Sequence, residues 1–449
     1  MMKRFEVEIE KIVAGGDGLA RHEGRVVFVP GTVSGERHQV ETVLEKKDFL
    51  RARSVALLES SEQRREAPCP YYGRCGGCSL MHLSPAAALE TKRDILLESL
   101  SRQRISHDAV VATPFPETGY RTRIRLHFSR SGGELVMGFH GRASHEVHDI
   151  EHCLLASEPL NATWRAVRSW FHEDPTRARG LKSIELQESS HQPGRVIARF
   201  LVQSRHGILE FEKREPRELL EHAGLQGFIV EAERGGRREL RVGSPVVEHR
   251  LGELMLRQTA GSFFQANRFA LDRLVQIVAP KSAVARWIDL YCGVGFFSLP
   301  FASAAGEVVG VESAPRSLSD ARANAKAAGQ QNAGNVRFIQ QDAATFAESF
   351  SFNRDDIVVV DPPRGGLTRA LRERLLASPI ERLHYVSCDA PAFARDARAL
   401  VESGFEIDAL ELVDLFPNTH HFETVATFIR RRGRRSLSGL DSLPPKGRY

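Results

Sequence analysis

The chain has no long apolar run, and this absence limits the kind of protein it can be. No stretch of its 449 residues approaches 18 consecutive apolar residues, so we expect no membrane-spanning helix. The N-terminal segment MMKRFEVEIE lacks the apolar core of a signal peptide and passes directly into an alternating strand pattern. We therefore expect a cytoplasmic protein with no membrane partner.

Cysteine and excess charge are also scarce. Only six cysteines occur, and in a cytoplasmic chain clustered cysteines bind metal or perform chemistry more often than they form disulfides. The net charge of +5 is too mild to indicate a polyanionic partner by itself. Basic residues are nevertheless concentrated in 120-YRTRIRLHFSR-130 and 430-RRRGRR-435.

The length predicts two or three domains, and 42% hydrophobic residues are enough for a core. Residues 1–60 alternate apolar and polar residues between glycine-rich turns, which predicts a small OB-like β-barrel that binds RNA, or another small β module. Residues 61–253 predict a central α+β domain, with helices over 85–101 and 160–172 and a strand over 239–247.

The pattern of apolar residues changes at about residue 254. From there to residue 435, apolar strand patterns alternate with helical segments, which predicts an α/β domain with a parallel, doubly wound sheet. Gly, Ser and Pro dominate residues 436–449, which predicts a disordered tail.

The first strand of this domain runs into Gly293-Val294-Gly295, and we expect a helix to follow. Glycines at such a turn let the backbone approach a ligand. Acidic residues end the next three predicted strands, namely Glu312, Asp342 and Asp361. Because strand carboxyl ends form the ligand crevice of an open α/β sheet, this layout favours S-adenosylmethionine. A dinucleotide is disfavoured because Ser298 interrupts the G-x-G-x-x-G pattern; alternatively, each acid is only a solvated strand terminus.

A fifth predicted strand stops at Ser387-Cys388-Asp389, so the thiol of Cys388 should point into the same crevice. An inert buried cysteine is the alternative. Glu423 lies just after His420 and His421 and before another apolar strand. A nucleophilic thiol needs a lowered pKa or a nearby base, and a carboxylate near the reacting carbon could remove a proton.

Five segments in this order carry a close resemblance to a known family: 263-FFQAN-267, 289-DLYCGVGFFSLP-300, 361-DPPRGG-366, 386-VSCDAPAFARD-396 and 415-LFPNTHHFETV-425. The chain resembles the RNA uracil-5-methyltransferases along nearly its whole length. The resemblance is to the ribosomal RNA type, which has an N-terminal TRAM domain and an iron–sulfur cluster. It implies that residues 254–435 form a Rossmann-like class I methyltransferase domain.

The resemblance also implies a mechanism. The Cys388 thiolate would add to carbon 6 of a uracil, carbon 5 would accept the methyl group of S-adenosylmethionine, and Glu423 would remove the proton from carbon 5. Elimination would then release Cys388. By resemblance, the cofactor is bound by Gln265, Tyr291, Glu312, Asp342 and Asp361.

Three cysteines are clustered as Cys69-x5-Cys75-x2-Cys78, and Cys153 is remote. Four thiolates suit zinc or an iron–sulfur cluster, and three clustered cysteines plus a remote one are typical of a 4Fe–4S cluster. The resemblance indicates the same cluster; unligated thiols are the remaining alternative. We expect Cys292 only to pack beside the cofactor loop.

The alternating residues of 121-RTRIRLHF-128 predict a strand with one apolar face and one cationic face. The cationic face suits contact with RNA phosphates. The alternative is a solvated surface strand. The target uridine would leave its stack to reach Cys388. The resemblance favours a 1939-type uridine of 23S ribosomal RNA. Alternatives are a 747-type uridine, transfer RNA, or a non-catalytic iron–sulfur protein that binds RNA. We expect a monomer.

Overall fold

A computed structural model describes residues 3–107, 110–214, 216–234, 239–329 and 333–430. The predicted tail and the basic segment beyond Arg430 lie outside the described residues. None of the helices formed by these residues combines the length and the apolar character that crossing a bilayer requires.

The N-terminal part is a six-stranded sheet in the order β1-β5-β6-β4-β3-β2. Apolar residues at alternate positions fill its core, including Val7, Val27, Val29 and Val40. The all-β prediction for this part is confirmed. The strands are β1 (Arg4–Glu8), β2 (Lys11–Ile12), β3 (Asp17–His22), β4 (Arg25–Pro30), β5 (Arg37–Glu45) and β6 (Phe49–Glu59).

The next two elements fall within the predicted central domain but pack elsewhere. The helix α1 (Pro85–Arg102) buries Ile95, Leu96 and Leu100 in the core of the C-terminal sheet. The strand β7 (Val111–Thr113) is one of the two edge strands of that same sheet. The chain thus contributes one helix and one strand to the C-terminal part of the structure before it forms the central sheet.

The central sheet has seven strands in the order β10-β9-β8-β11-β12-β13-β14. Its strands are β8 (Arg123–Ser131), β9 (Glu134–His140), β10 (Val147–Asp149), β11 (Leu181–Glu188), β12 (Val196–Ser204), β13 (Leu225–Arg234) and β14 (Glu239–Gly243). Its helices are α2 (Glu158–Glu173), α3 (Arg205–Glu212) and α4 (Pro216–His222), with a short 3-10 helix at Pro175–Ala178.

The single strand predicted over 239–247 is wrong. Strand β14 ends at Gly243, and β15 (Val246–Leu251) pairs with β16 (Leu254–Thr259) in a separate hairpin. Gly243 has a φ of 65° and Pro245 has no amide hydrogen, so a continuous ladder cannot pass this point.

The C-terminal sheet has eight strands in the order β19-β18-β17-β20-β21-β23-β22-β7, and the predicted α/β architecture is confirmed. Five neighbouring strands of this sheet, β19, β18, β17, β20 and β21, run parallel to one another. Strand β23 is antiparallel to β21. The elements are α5 (Leu271–Val278), β17 (Val284–Leu290), β18 (Ala305–Glu312), α6 (Pro315–Ala327), β19 (Val336–Gln340), α7 (Ala343–Ser349), β20 (Asp356–Val360), α8 (Arg369–Ala377), β21 (Arg382–Ser387), α9 (Ala390–Glu402), β22 (Phe405–Val413) and β23 (Glu423–Arg430), with short 3-10 helices at Leu299–Phe301 and Ala333–Asn335.

The helix expected after Gly295 is absent from this described segment. The chain instead makes successive turns and the 3-10 helix Leu299–Phe301. Pro300 contributes no amide hydrogen, and the hydrogen bonds that form here are mostly of the i to i−3 type.

Candidate active site

The candidate site lies at the carboxyl edge of the parallel strands. Leu290 pairs with both Val311 and Val360, so the residues that follow these strands meet at one edge. Strand β21 ends at the same edge, with Cys388 next in the chain. Because β23 runs in the opposite direction, its first residue, Glu423, also lies here.

Backbone pairing sets Cys388 beside Glu423. Ser387 pairs with Thr424 in the antiparallel ladder, so Cys388 and Glu423 are the next residues outward on the two strands. Cys388 is half-buried and Glu423 is buried, and within the described part of the chain Oε2 of Glu423 has no hydrogen-bond partner. A thiol and an unsatisfied carboxylate thus face the same edge.

The surroundings of Cys388 favour the protonated thiol over the thiolate. Burial raises the pKa of Cys388 to about 12, and the negative charges of Glu423 and Asp361 act in the same direction. The guanidinium of Arg364 opposes this shift. Formation of a thiolate therefore requires positive charge near the sulfur or transfer of its proton to a base.

Asp361 and Glu423 form a pair of interacting carboxyls. Burial raises the pKa of Asp361 to about 7. Burial and the charge of Asp361 together raise the pKa of Glu423 well above its ordinary value. Because two buried carboxylates repel each other, ionisation of one hinders ionisation of the other.

Glu312 shapes the glycine loop. Its Oε2 accepts a hydrogen bond from the amide of Gly293 at 3.1 Å, and its Oε1 accepts one from the amide of Ala314 at 2.7 Å. Tyr291, at the start of the loop, has a φ of 74°, a strained conformation for a residue with a side chain. Such strain persists only where the surrounding structure enforces it.

The remaining predicted cofactor residues surround this loop. Burial raises the pKa of Tyr291 to about 12, and the negative charge of Asp342 acts in the same direction. Asp342 also caps α7 by accepting the amides of Ala344 and Thr345. Gln265 is buried in the loop before α5, where the ring of its neighbour Phe264 lies 5.6 Å from that of Phe296 in the glycine loop.

No role was predicted from the sequence for Asp396, which links the segment after Cys388 to the segment after Asp361. This fully buried carboxylate accepts hydrogen bonds from the Leu367 amide, the Tyr385 hydroxyl and Arg372, each at 2.8 Å. It thereby connects α9, which follows Cys388, to the loop that follows Asp361. Its only signal in the sequence was its place at the end of the quoted segment 386–396.

No role was predicted for Asp289 or Arg364, although they lie in the family motifs 289–300 and 361–366. Asp289 is fully buried, its Oδ2 accepts the Ser298 hydroxyl at 2.6 Å, and burial raises its pKa to about 7. Its Oδ1 has no partner among the described residues. Arg364 lowers the pKa of both Cys388 and Glu423.

The loop that leads into Glu423 is held from several directions. The amides of Ser79 and Leu80, immediately after Cys78, donate to the carbonyl of Asn418 at 3.2 and 3.0 Å. The Ser79 hydroxyl accepts the amide of His420 at 2.8 Å. The cysteine-containing loop is therefore bonded directly to the loop that precedes the carboxylate.

The four predicted metal ligands, Cys69, Cys75, Cys78 and Cys153, line one cavity. Burial and the neighbouring thiols raise the pKa of Cys75 to about 11. Within the described residues, no three His, Cys, Asp or Glu side chains are grouped so that they could hold a metal ion. Cysteine thiolates are the usual protein ligands of iron–sulfur clusters, and all four thiols line the same cavity.

The strand with the arginine row has the predicted alternation, since Ile124 and Leu126 are buried. Its cationic face is less open than expected. Arg121 lies before β8 and lines the cysteine cavity, and Arg125 pairs with Glu185 at 2.8 Å. The ring of His127 stacks on that of His140 at 3.8 Å.

Comparisons with known proteins agree with this architecture. Residues 85–431 match the family described as tRNA (uracil-5-)-methyltransferase, and residues 2–55 match the TRAM domain. An uncharacterized RNA methyltransferase of Aquifex aeolicus is 32% identical over 94% of this chain and 98% of that protein. The 23S rRNA (uracil(1939)-C(5))-methyltransferase RlmD of Shewanella amazonensis is 31% identical over 95% of this chain and 96% of that protein.

The fold is also similar to a solved structure. The Pyrococcus abyssi tRNA (uracil-54, C5)-methyltransferase, in complex with S-adenosyl-L-homocysteine, superposes with a TM-score of 0.74 at 24% identity. The match covers 94% of this chain and 99% of that one. The resemblance deduced from the motifs is confirmed, and the chain belongs to the tRNA (uracil-5-)-methyltransferase family of RNA-modifying enzymes.

Proposed function

We propose that this enzyme transfers a methyl group from S-adenosylmethionine to carbon 5 of a uridine in 23S ribosomal RNA, at the position equivalent to 1939. The observation that carries the proposal is the pairing of Ser387 with Thr424, which sets a thiol beside a buried carboxylate. The choice of substrate is supported by relatives named as 23S rRNA (uracil(1939)-C(5))-methyltransferases that are 30% and 31% identical.

Carbon 5 of uracil is a poor nucleophile, and covalent catalysis by Cys388 overcomes this. The Cys388 thiol first releases its proton to solvent. The resulting thiolate adds to carbon 6, and the displaced electron pair makes carbon 5 enolate-like. Carbon 5 takes the methyl group as the bond between methyl and donor sulfur breaks. Glu423 then accepts the proton from carbon 5, the double bond to carbon 6 re-forms, and the thiolate leaves. The chain regains its starting state once Glu423 releases that proton and the Cys388 thiolate takes one up.

The cofactor would supply an electrophilic methyl group and a positive charge near the thiol. Its proposed ligands are Gln265, Tyr291, Glu312, Asp342 and Asp361. Carboxylates at strand ends suit ribose hydroxyls and an adenine amino group, and the Gly293–Gly295 turn allows close approach of the backbone. The hydrogen bond from the Gly293 amide to Glu312, which shapes this turn, supports the assignment.

Cys69, Cys75, Cys78 and Cys153 would hold a 4Fe–4S cluster, which would join the cysteine loop covalently to the central domain. Iron and sulfide analysis of anaerobically purified protein tests this assignment. Cys153→Ser should lose iron, whereas Cys292→Ser, which alters a thiol beside the glycine loop, should retain it. Zinc without iron in the wild-type protein would contradict the cluster.

The chain would divide into residues 1–60 as a TRAM domain that helps to bind RNA, residues 61–253 as a central domain and residues 254–435 as the catalytic domain. The target uridine must leave its stack to reach Cys388, as other base-modifying enzymes require. A single-stranded or looped segment lowers the free energy that this extrusion takes.

RNA that contains 5-fluorouridine tests the chemistry. Fluorine at carbon 5 cannot be removed as a proton, so the adduct should persist and shift the protein on a denaturing gel. Cys388→Ala should form no adduct, whereas Cys292→Ala should form it normally. An adduct with the Cys388→Ala enzyme would contradict the mechanism.

Mapping of 5-methyluridine in cells with and without the protein tests the substrate. Loss of the modification at the position equivalent to 1939 supports the proposal. Loss at a 747-type position or in transfer RNA would reassign the substrate, and an unchanged map would favour a non-catalytic role in RNA binding.

A further inference from the structure

A second cavity, of about 500 Å³, lies where the N-terminal sheet, the cysteine loop and the central sheet meet His420. Its size is within the range of small-ligand sites. His420 precedes Glu423 by three residues, and its ring lies 4.0 Å from that of His421. The cavity is therefore next to the candidate active site, but it is not lined by Cys388 or Glu423.

One part of the cavity wall, formed by the N-terminal sheet and the turn between β9 and β10, carries an excess of positive charge. Arg51 and Arg142 both line the cavity, and both pair with the single carboxylate of Asp17, at 3.4 and 2.5 Å. Their side chains are 52% and 31% exposed. One carboxylate cannot neutralise two guanidinium groups, so the pair retains a net positive charge and free N–H donors. Such a pair suits a phosphate group.

Another part of the cavity wall is aromatic. The rings of His127 and His140 stack at 3.8 Å with an interplanar angle of 21°, and both line the cavity together with Phe139. Burial lowers the pKa of His127 to about 4, so its ring is neutral at physiological pH. Neutral aromatic rings are the surfaces on which unpaired nucleobases stack in proteins that bind single strands.

We propose that this cavity binds a nucleotide that neighbours the target uridine in the RNA. Its base would pack against the histidine and phenylalanine rings, and its phosphate would contact Arg51 and Arg142. This inference rests on the proposed function, because extrusion of the uridine unstacks the adjacent nucleotides and leaves their bases in need of partners. The cavity would make the enzyme sensitive to the RNA beside its target.

Two arginines on one strand test the phosphate contact. Arg51 and Arg53 both lie in β6 and both pair with a carboxylate, but only Arg51 lines the cavity. For a 23S rRNA hairpin, Arg51→Ala should raise KM several-fold and reduce the slope of log binding constant against log salt by about one. Arg53→Ala should leave both unchanged. Equal effects of the two variants would overturn the phosphate contact.

Hairpins with one abasic nucleotide test the base contact. The abasic site is placed in turn at each of the three positions on either side of the target. For the wild-type enzyme, one position should reduce kcat/KM by about tenfold, and His127→Ala should abolish that sensitivity at the same position only. Equal abasic effects in the two enzymes at every position would overturn the pocket. Methylation of the unmodified hairpin by the wild-type enzyme reports the proposed function separately.

Discussion

Cys388 and Glu423 are the next residues outward from a directly paired couple, Ser387 and Thr424, on two neighbouring antiparallel strands. Backbone hydrogen bonds therefore fix the distance between the proposed nucleophile and the proposed base. Side chains at opposed positions of an antiparallel pair lie about 5 Å apart at Cβ. A uracil ring that presents carbon 6 to one group and carbon 5 to the other fits this spacing.

Glu423→Gln should separate methyl transfer from release of the product. Glutamine has the same shape but cannot accept the proton from carbon 5, so we expect turnover to fall about 10²- to 10⁴-fold. Because elimination needs that proton removed, a covalent complex should accumulate even with ordinary uridine RNA. A denaturing gel and mass spectrometry would detect it. Glu402→Gln, at an exposed position of α9, should behave as wild type; normal turnover by Glu423→Gln would refute the assignment.

The rate should rise with pH as the buried carboxyl pair of Asp361 and Glu423 loses a proton. Burial raises the pKa of Asp361 to about 7, and burial and repulsion also raise that of Glu423. A general base works only when unprotonated, so kcat/KM should increase as this pair loses its proton. Asp361→Asn removes a negative charge and should move the rising limb to lower pH.

Saturating S-adenosylmethionine separates this effect from weaker cofactor binding by Asp361→Asn. The exposed Asp355, at the opposite end of β20, supplies the matched control, and Asp355→Asn should leave the limb in place. A limb that stays fixed or moves upward in Asp361→Asn would show that the two carboxyls do not interact as inferred.

Local patterns were sufficient to predict the α/β sheet. The segments that form β17, β20 and β21 are buried along most of their length. Such strands can be recognised as apolar segments from the local sequence alone, without knowing which strands they pair with. Their ends were also recognisable, which is why Cys388 and the acidic residues could be nominated from the sequence.

Features that depend on distant partners could not be predicted. Strand β7 pairs with Glu411–Val413, about 300 positions later, and no local pattern encodes that choice. The alternation of 121–128 predicted which residues share a face, but it could not show that Arg121 would turn to the cysteine cavity. Asp396 was missed for the same reason, since its partners come from three separate elements.

Replacement of Asn418 by glycine should lower the free energy of unfolding less than replacement by alanine. Its φ is 67°, a left-handed conformation that disfavours alanine by about 1–2 kcal/mol. Both variants lose the side-chain hydrogen bonds with Arg65 and the carbonyl of Glu117, at 3.0 and 2.9 Å. Because these bonds hold the loop before Glu423, both should reduce kcat, by about tenfold.

Thermal unfolding and RNA affinity check this prediction about Asn418. Asn418→Ala should unfold at a lower temperature than Asn418→Gly, and the two should have the same KM for RNA as the wild type. Equal stabilities would contradict the backbone argument, and an unchanged kcat would contradict the positioning role of the loop.

Lys92→Met should destabilise the protein strongly, and Asp414→Asn should rescue it in part. Lys92 is fully buried, and its ammonium group lies 2.5 Å from Asp414 Oδ1 and 3.0 Å from the carbonyl of Phe416. Removal of one member of a buried ion pair typically costs about 3–5 kcal/mol, because the other charge is left without compensation. In the double variant the neutral amide is no longer a buried charge, so stability should return towards that of the wild type.

The pH dependence of this defect distinguishes an unpaired charge from simple loss of packing. Burial raises the pKa of Asp414 and Lys92 opposes that shift, so Lys92→Met should raise the pKa further. A carboxyl whose pKa is higher in the folded than in the unfolded state loses stability as pH rises through the folded value. The denaturation midpoint of Lys92→Met should therefore fall further below that of the wild type at alkaline pH than at acidic pH. Lys11→Met, at a side chain that is 45% exposed, should lack this dependence; a pH-independent defect in Lys92→Met would mean that Asp414 does not carry the cost.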